Sequence, residues 1–227
     1  MVKRIQNIKK RIEEATVRCG RDPSTVRLVA VSKTIPVDRV KAAIEAGVTV
    51  LGENYIQEAR EKFNRLATYP VSWHFIGHLQ SNKAKYAVRL FDLIHSVDSF
   101  KLARELNKQA QKNAKIQNVL IQINISNESS KSGADAANVL DLMNQMRHLE
   151  NLSVKGLMTM PPFFNDPEKA RPYFSALRNL KDRIRQAAPP EITLDELSMG
   201  MTGDFEVAIE EGATLVRIGT AIFGERR

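Results

Sequence analysis

The chain has 227 residues, 34 Lys and Arg against 26 Asp and Glu for a net charge of +8, and 43% hydrophobic residues, a globular composition that excludes a wholly disordered chain. Its most apolar stretch, Val119–Ile125, is short and broken by Gln122 and Asn124, which excludes a membrane span, and the opening residues Met1–Gln6 lack the apolar region of a secretory signal. One cysteine, Cys19, cannot form an internal disulfide, so the expected compartment is reducing and cytoplasmic.

In chain order, the basic run Lys3–Arg11 carries Ile5, Ile8 and Ile12 at helical spacing and reads as an amphipathic surface helix with a solvated basic face. No ribonucleoprotein motif, zinc-finger spacing or aromatic interleaving accompanies it, so nucleic acid is not the expected partner. A phosphorylated or anionic small ligand is a second sink for the positive charge. Short β-branched runs follow at Leu28–Ser32, Val48–Leu51, Trp73–Ile76, Leu93–Val97, Val119–Ile125, Val154–Met158, Thr193–Leu197 and Leu215–Ile218. All but the last are followed by a helical pattern. Val37, Val40 and Ile44 form one stripe, with Pro36 at its start and Gly47 at its stop. Val139, Leu142, Met143 and Met146 form another, and a longer one runs from Ala170 to Ile184, with Asp166 as cap. Phe205, Ala208 and Ile209 close a short helix before Gly212. Eight strands alternating with helices predict a (β/α)8 barrel with one extra N-terminal helix, in a single domain over residues 1–227. A doubly wound open sheet is the alternative, but no G-x-G-x-x-G follows the first strand.

In such a barrel, functional residues belong at the C-terminal ends of strands. The positions there are Lys33, Glu53 with Asn54, His78, Ser96, Asn124 with Ser126, Ser198, and Arg217 with Gly219 and Thr220. Lys33, at the end of an apolar strand, has the desolvated setting that frees an amine to attack a carbonyl. The stretches Ser198–Asp204 and Arg217–Gly224 are glycine-rich and follow strands seven and eight, where barrels bind phosphate. Glycine lets backbone N–H groups approach the anion, Ser198 and Thr202 add hydroxyls, and a helix start near Gly203 adds its dipole. A lysine Schiff base and a phosphate cradle in one mouth imply pyridoxal 5′-phosphate (PLP), with Arg217 a candidate partner of the pyridine nitrogen. An arginine there would leave that nitrogen unprotonated and limit carbanion chemistry. The plainer reading of Arg217 is an internal salt bridge to Glu53 or Asp195. His74 and His78 are four apart on a strand with no Glu after His74, so zinc is not expected. His95 and His148 read as structural or exposed. Asp195 and Glu196 alternate across a strand and should not converge.

At these residues the sequence closely resembles the pyridoxal phosphate homeostasis protein family. The matching pieces are Val31-Ser32-Lys33-Thr34, residues 52–58, residues 73–83, His95-Ser96-Val97-Asp98, Lys131-Ser132-Gly133, residues 156–160, residues 197–201 and residues 217–224. The resemblance implies a PLP barrel of the alanine racemase type. Lys33 would carry the cofactor as an aldimine, and Ser198, Gly200, Thr202, Gly219 and Thr220 would hold its phosphate. Arg217 would face the pyridine nitrogen, Asn54 and His78 would line the ring, and Met158 would form an apolar wall.

Alanine racemase also uses a second domain, whose tyrosine supplies an opposing base, and the chain ends at Arg227 without room for one. The expectation is therefore a monomeric PLP carrier in vitamin B6 and amino-acid homeostasis that passes cofactor to apo-enzymes. The alternative is a PLP-dependent enzyme, a racemase or lyase, acting on a small amino acid.

Overall fold

In a computed structural model, which describes residues 1–126, 128, 132–187 and 194–225, the chain opens with helix α1 (Val2–Arg18). Its apolar stripe, Ile5, Ile8, Ile12 and Ala15, is buried against two helices from the far end of the chain, α8 (Phe205–Glu210) and α9 (Thr220–Phe223). Each buried isoleucine contributes roughly 1.5–3 kcal/mol. The basic face is partly engaged within the molecule. Arg11 pairs with Glu206 and Arg18 with Glu210, while Lys9 Nζ donates to the Gly47 carbonyl at 2.7 Å.

Eight strands follow: β1 (Arg27–Val31), β2 (Val50–Glu53), β3 (Ser72–Phe75), β4 (Leu93–Val97), β5 (Gln117–Gln122), β6 (Leu152–Met158), β7 (Glu196–Ser198) and β8 (Leu215–Ile218). They close in sequence order into a barrel in which every pair is parallel. Parallel neighbours need a crossover between them, supplied by α2 (Val37–Glu45), α3 (Ile56–Arg65), α4 (Ala84–Leu90), α5 (Phe100–Lys112), α6 (Val139–Met146), α7 (Arg171–Ala187) and then α8. Strands covered on both faces read as near-continuous apolar runs, which is why they are visible in the sequence. Alternation along each strand separates two cores. Val29, Val50, Leu93, Leu120, Met158 and Leu215 fill the barrel interior, while Ala30, Leu51, Phe75, Ile94, Val119, Leu157 and Val216 pack outward under the helices.

The predicted (β/α)8 barrel with an extra N-terminal helix is the observed fold, with local differences at element ends: β1 and β3 start one residue earlier than expected, β6 two residues earlier, and β2 two residues later. β5 begins and ends earlier than Val119–Ile125: Gln117 and Asn118 already pair with Leu152 and Ser153 of β6, and beyond Gln122 the chain turns to an isolated bridge between Ile123 and Ala134. β7 starts at Glu196, Thr193 lying outside the described residues. Asp166 caps a short 3-10 turn, Pro167–Ala170, ahead of α7. The last strand is followed by a helix after all, α9. Among the described residues no helix is long and apolar enough to cross a membrane.

Candidate functional site

Lys33 sits two residues beyond the end of β1, in a turn closed by the Ile35 N–H donating to the Ser32 carbonyl at 3.0 Å. The inward phase of Val29, continued through Val31, brings Lys33 to the barrel mouth, where it is half-buried. The next residue, Thr34, has φ +62°, a left-handed conformation that a β-branched side chain adopts only when its surroundings impose it. Across from it, Asn54 follows β2, half-buried, and its Oδ1 has no partner among the described residues. Gly77, after β3, presses on it. A Cβ at Gly77 would stand 2.7 Å from the Asn54 Cα, so only glycine lets the two loops meet. The Ser96 hydroxyl at the end of β4 is also buried and unpartnered among the described residues. His78, by contrast, is 60% exposed on the rim, its Nδ1 4.0 Å from Asp98.

The two glycine-rich stretches converge. Thr220, the first residue of α9, donates its hydroxyl to the Thr202 Oγ1 at 3.3 Å. Gly200 turns the chain back with φ +88°, and a Cβ there would meet the Ala208 Cβ at 2.6 Å. The first amides of α9 are the unpaired donors of a helix start, beside Gly219. The dipole expected near Gly203 is less available. Asp204 caps α8, and its Oδ1 takes the Met201 N–H at 2.6 Å, placing an acid where an anion was expected to sit.

Beneath the mouth lies a polar layer. Arg217, on β8, is buried, and its Nη1 donates to the Ser198 Oγ at 2.6 Å while Nη2 donates to the Thr159 carbonyl at 2.9 Å. Ser198, the last residue of β7, is 2.9 Å from His95 Nδ1, and His95 Nε2 is 3.0 Å from His74 Nδ1. Donor accounting couples the bonds of this chain. Ser198 accepts from the guanidinium and shares one further proton with His95 Nδ1, and a second proton lies between His95 Nε2 and His74 Nδ1, the two running in the same sense along the chain. Both imidazoles are neutral. Burial lowers His74 to a pKa of about 3, and burial followed by the charges around it holds His95 well below the usual imidazole value. Burial also lowers the Arg217 guanidinium to about 10.

The structure therefore brings Lys33, Asn54, Gly200, Thr202, Arg217, Gly219 and Thr220 to one end of the barrel, with Met158 fully buried in the interior core below. Two expectations change. Ser198 spends its hydroxyl inside the barrel on Arg217 and His95. Arg217 is not in a salt bridge with Glu53, which Lys62 occupies at 2.7 Å. Asp195 is exposed and does not reach Arg217, and, as expected, it does not converge with Glu196, which pairs with Arg27 at the opposite end of the barrel. His95, read as structural or exposed, belongs to the layer that supports Arg217. His148 is exposed. Lys131 lies outside the described residues. Sequence reasoning missed Lys62, which is buried and donates to both Glu53 and the Ser32 carbonyl. The sequence carries no signal for it: four residues after Glu58 and beside Arg60, Glu61 and Arg65, Lys62 reads as a surface helix residue.

Comparison with known proteins identifies the family and the fold. The family described as alanine racemase, N-terminal domain, matches residues 4–227. The pyridoxal phosphate homeostasis protein of Aquifex aeolicus is 44% identical over 224 residues, covering 99% of this chain and 97% of the relative. That of Vibrio alginolyticus is 46% identical over 226 residues, covering 98% and 96%. The solved structure of PipY from Synechococcus elongatus, with PLP bound, superposes with a TM-score of 0.83 at 37% identity, covering 96% of this chain and all 100% of that one. An alanine racemase from Clostridium difficile, at 13% identity and a TM-score of 0.72 over 96% of this chain and 55% of its own, shares the fold. The chain belongs to the pyridoxal phosphate homeostasis protein family, built on the barrel of the alanine racemase N-terminal domain.

Proposed function

We propose that this chain binds PLP in the barrel mouth and serves vitamin B6 homeostasis by holding a reactive aldehyde in exchangeable form. The observation that carries the reading is the convergence, at one end of the barrel, of a lysine, a buried arginine and two facing threonines beside glycine turns. When bound, PLP supplies an aldehyde that condenses with an amine and a ring that withdraws electrons. The residues fit it. The Asn54 Oδ1 and the Ser96 hydroxyl are buried polar groups without a partner among the described residues, open to a polar ligand. Lys33 supplies the amine, and its condensation releases one water. Thr202, Thr220, Gly200 and Gly219 hold the phosphate, Arg217 addresses the pyridine nitrogen, and Asn54, Met158 and His78 line the ring side. Ser198 works from behind, fixing Arg217 rather than touching phosphate. A guanidinium cannot take up a proton from the ring, so Arg217 keeps the nitrogen unprotonated and the ring a weak electron sink. That favours storage over turnover.

The whole of residues 1–227 forms, in this reading, one PLP-binding domain, monomeric and cytoplasmic, that yields its cofactor to apo-enzymes. Equilibrium titration with PLP and with pyridoxal, which lacks the phosphate, tests the cradle. PLP should bind at one per chain and pyridoxal at least about tenfold more weakly, since a charge-assisted hydrogen bond is worth roughly 1.5–3 kcal/mol. Equal affinity for the two would overturn the assignment of the threonine and glycine loops.

A further inference from the structure

The turn that carries Lys33 is held from outside the barrel by three charged side chains of one neighbouring unit. Glu53, fully buried at the end of β2, takes the Ser32 hydroxyl at 2.6 Å and the Lys62 ammonium at 2.7 Å on the same oxygen. Lys62, from α3 and 4% exposed, also donates to the Ser32 carbonyl at 2.5 Å. Glu58, one turn earlier on α3, accepts the Thr34 N–H at 2.7 Å and lies 3.5 Å from Lys62. The residues on both sides of Lys33 are thus tied to β2 and α3, and Thr34 is kept in its left-handed conformation.

Stability does not explain this arrangement. A buried ion pair is about as stable as an apolar pair of similar volume, or less so, because desolvation offsets the attraction. The second oxygen of Glu53, Oε2, has no partner among the described residues, and burial raises its carboxyl above the ordinary range, which adds to the cost. What the pair supplies is direction. It fixes a hydroxyl, a carbonyl and, through Glu58, an amide on either side of one side chain, and strained backbone persists where surroundings over-determine it.

We propose that Glu53, Lys62 and Glu58 are positioning residues that hold the Ser32–Thr34 turn so that Lys33 presents its amine to the barrel mouth. The proposal rests on the reading of Lys33 as the amine that captures the aldehyde. The geometry of the clamp can still be examined without cofactor.

Glu58 is partly exposed, so it can be altered without threatening the core. Glu58→Ala should raise amide exchange at Thr34 at least about tenfold and slow capture of PLP by Lys33 about three- to tenfold. Its melting temperature should stay within a few degrees of the parent. Glu58→Gln keeps an oxygen acceptor for the Thr34 N–H and should restore both. The volume-matched pair Glu53→Gln with Lys62→Met, which leaves no buried charge, should fold and show the same slow capture, with a shifted pH profile for trace acylation of Lys33. Wild-type capture rates and acylation profile in both Glu58→Ala and the double variant would overturn the proposal. Altered exchange and acylation in a protein whose unmodified form takes up no PLP would leave the clamp standing and remove the cofactor reading instead.

Discussion

As pH falls from about 6.5 toward about 3, the ligand-free protein should lose stability through its buried histidine pair. His74 titrates near 3 in the folded chain against 6.5 for an ordinary imidazole, so across that window the unfolded chain binds the proton and the folded one does not. Stability is complete above the upper limit and drains as pH falls toward the lower. At about 1.4 kcal/mol per unit, the shift at His74 alone is worth roughly 4–5 kcal/mol, a large share of a typical domain's stability. His95 acts in the same direction. Glu53 and Asp204 oppose them, since burial raises both carboxyls and their protonation relieves the folded state. A difference measurement isolates the histidine. His74→Asn keeps an amide that can donate to or accept from His95 Nε2 and cannot take a charge. Urea unfolding at a series of pH values should show a flatter acid limb for the variant, and parallel limbs would mean that His74 charges freely in the folded protein.

Arg217→Met should separate stability from binding. The guanidinium is fully buried, bonded to a hydroxyl and a carbonyl and, among the described residues, to no carboxylate, and burial lowers it to about 10 from 12.5. At neutral pH that displacement corresponds to roughly 3 kcal/mol against the folded state. Methionine removes the charge and fills much of the volume, while leaving the Thr159 carbonyl and the Ser198 hydroxyl to find other partners. The expected result is a ligand-free melting temperature equal to or above that of the parent, where loss of a buried ion-pair member ordinarily costs about 3–5 kcal/mol. PLP affinity should fall at least about tenfold. Unchanged affinity would remove Arg217 from the site, and a large loss of stability would show that its two hydrogen bonds outweigh its desolvation. A buried cation that lowers stability and aids a ligand is the expected signature of a functional residue.

The barrel was legible because its strands are covered on both faces and its crossovers are amphipathic, so strands such as Leu93–Val97 and stripes such as Val37, Val40 and Ile44 stand out. Strand ends were less so. β5 pairs with β6 from the polar Gln117, ahead of the apolar run, and the three residues of β7 leave little pattern to read. Lys33, Arg217 and the glycine stretches could be found because they lie where strands stop. The layer joining His74, His95, Ser198 and Arg217 could not, since it depends on which inward residues of four strands share a level, and that is a property of barrel register. Lys62 was hidden for another reason. At four residues from Glu58 it reads as a surface helix pair, and only the seating of α3 against β1 and β2 takes it out of water.

The central claim is that Lys33 is the amine that captures the cofactor. Borohydride reduction of the PLP-treated protein followed by peptide mass spectrometry tests it most directly. One pyridoxyl-phosphate adduct on the peptide containing Lys33, absent in Lys33→Ala, is the predicted result. An adduct confined to another lysine, or none after PLP is added, would contradict the account.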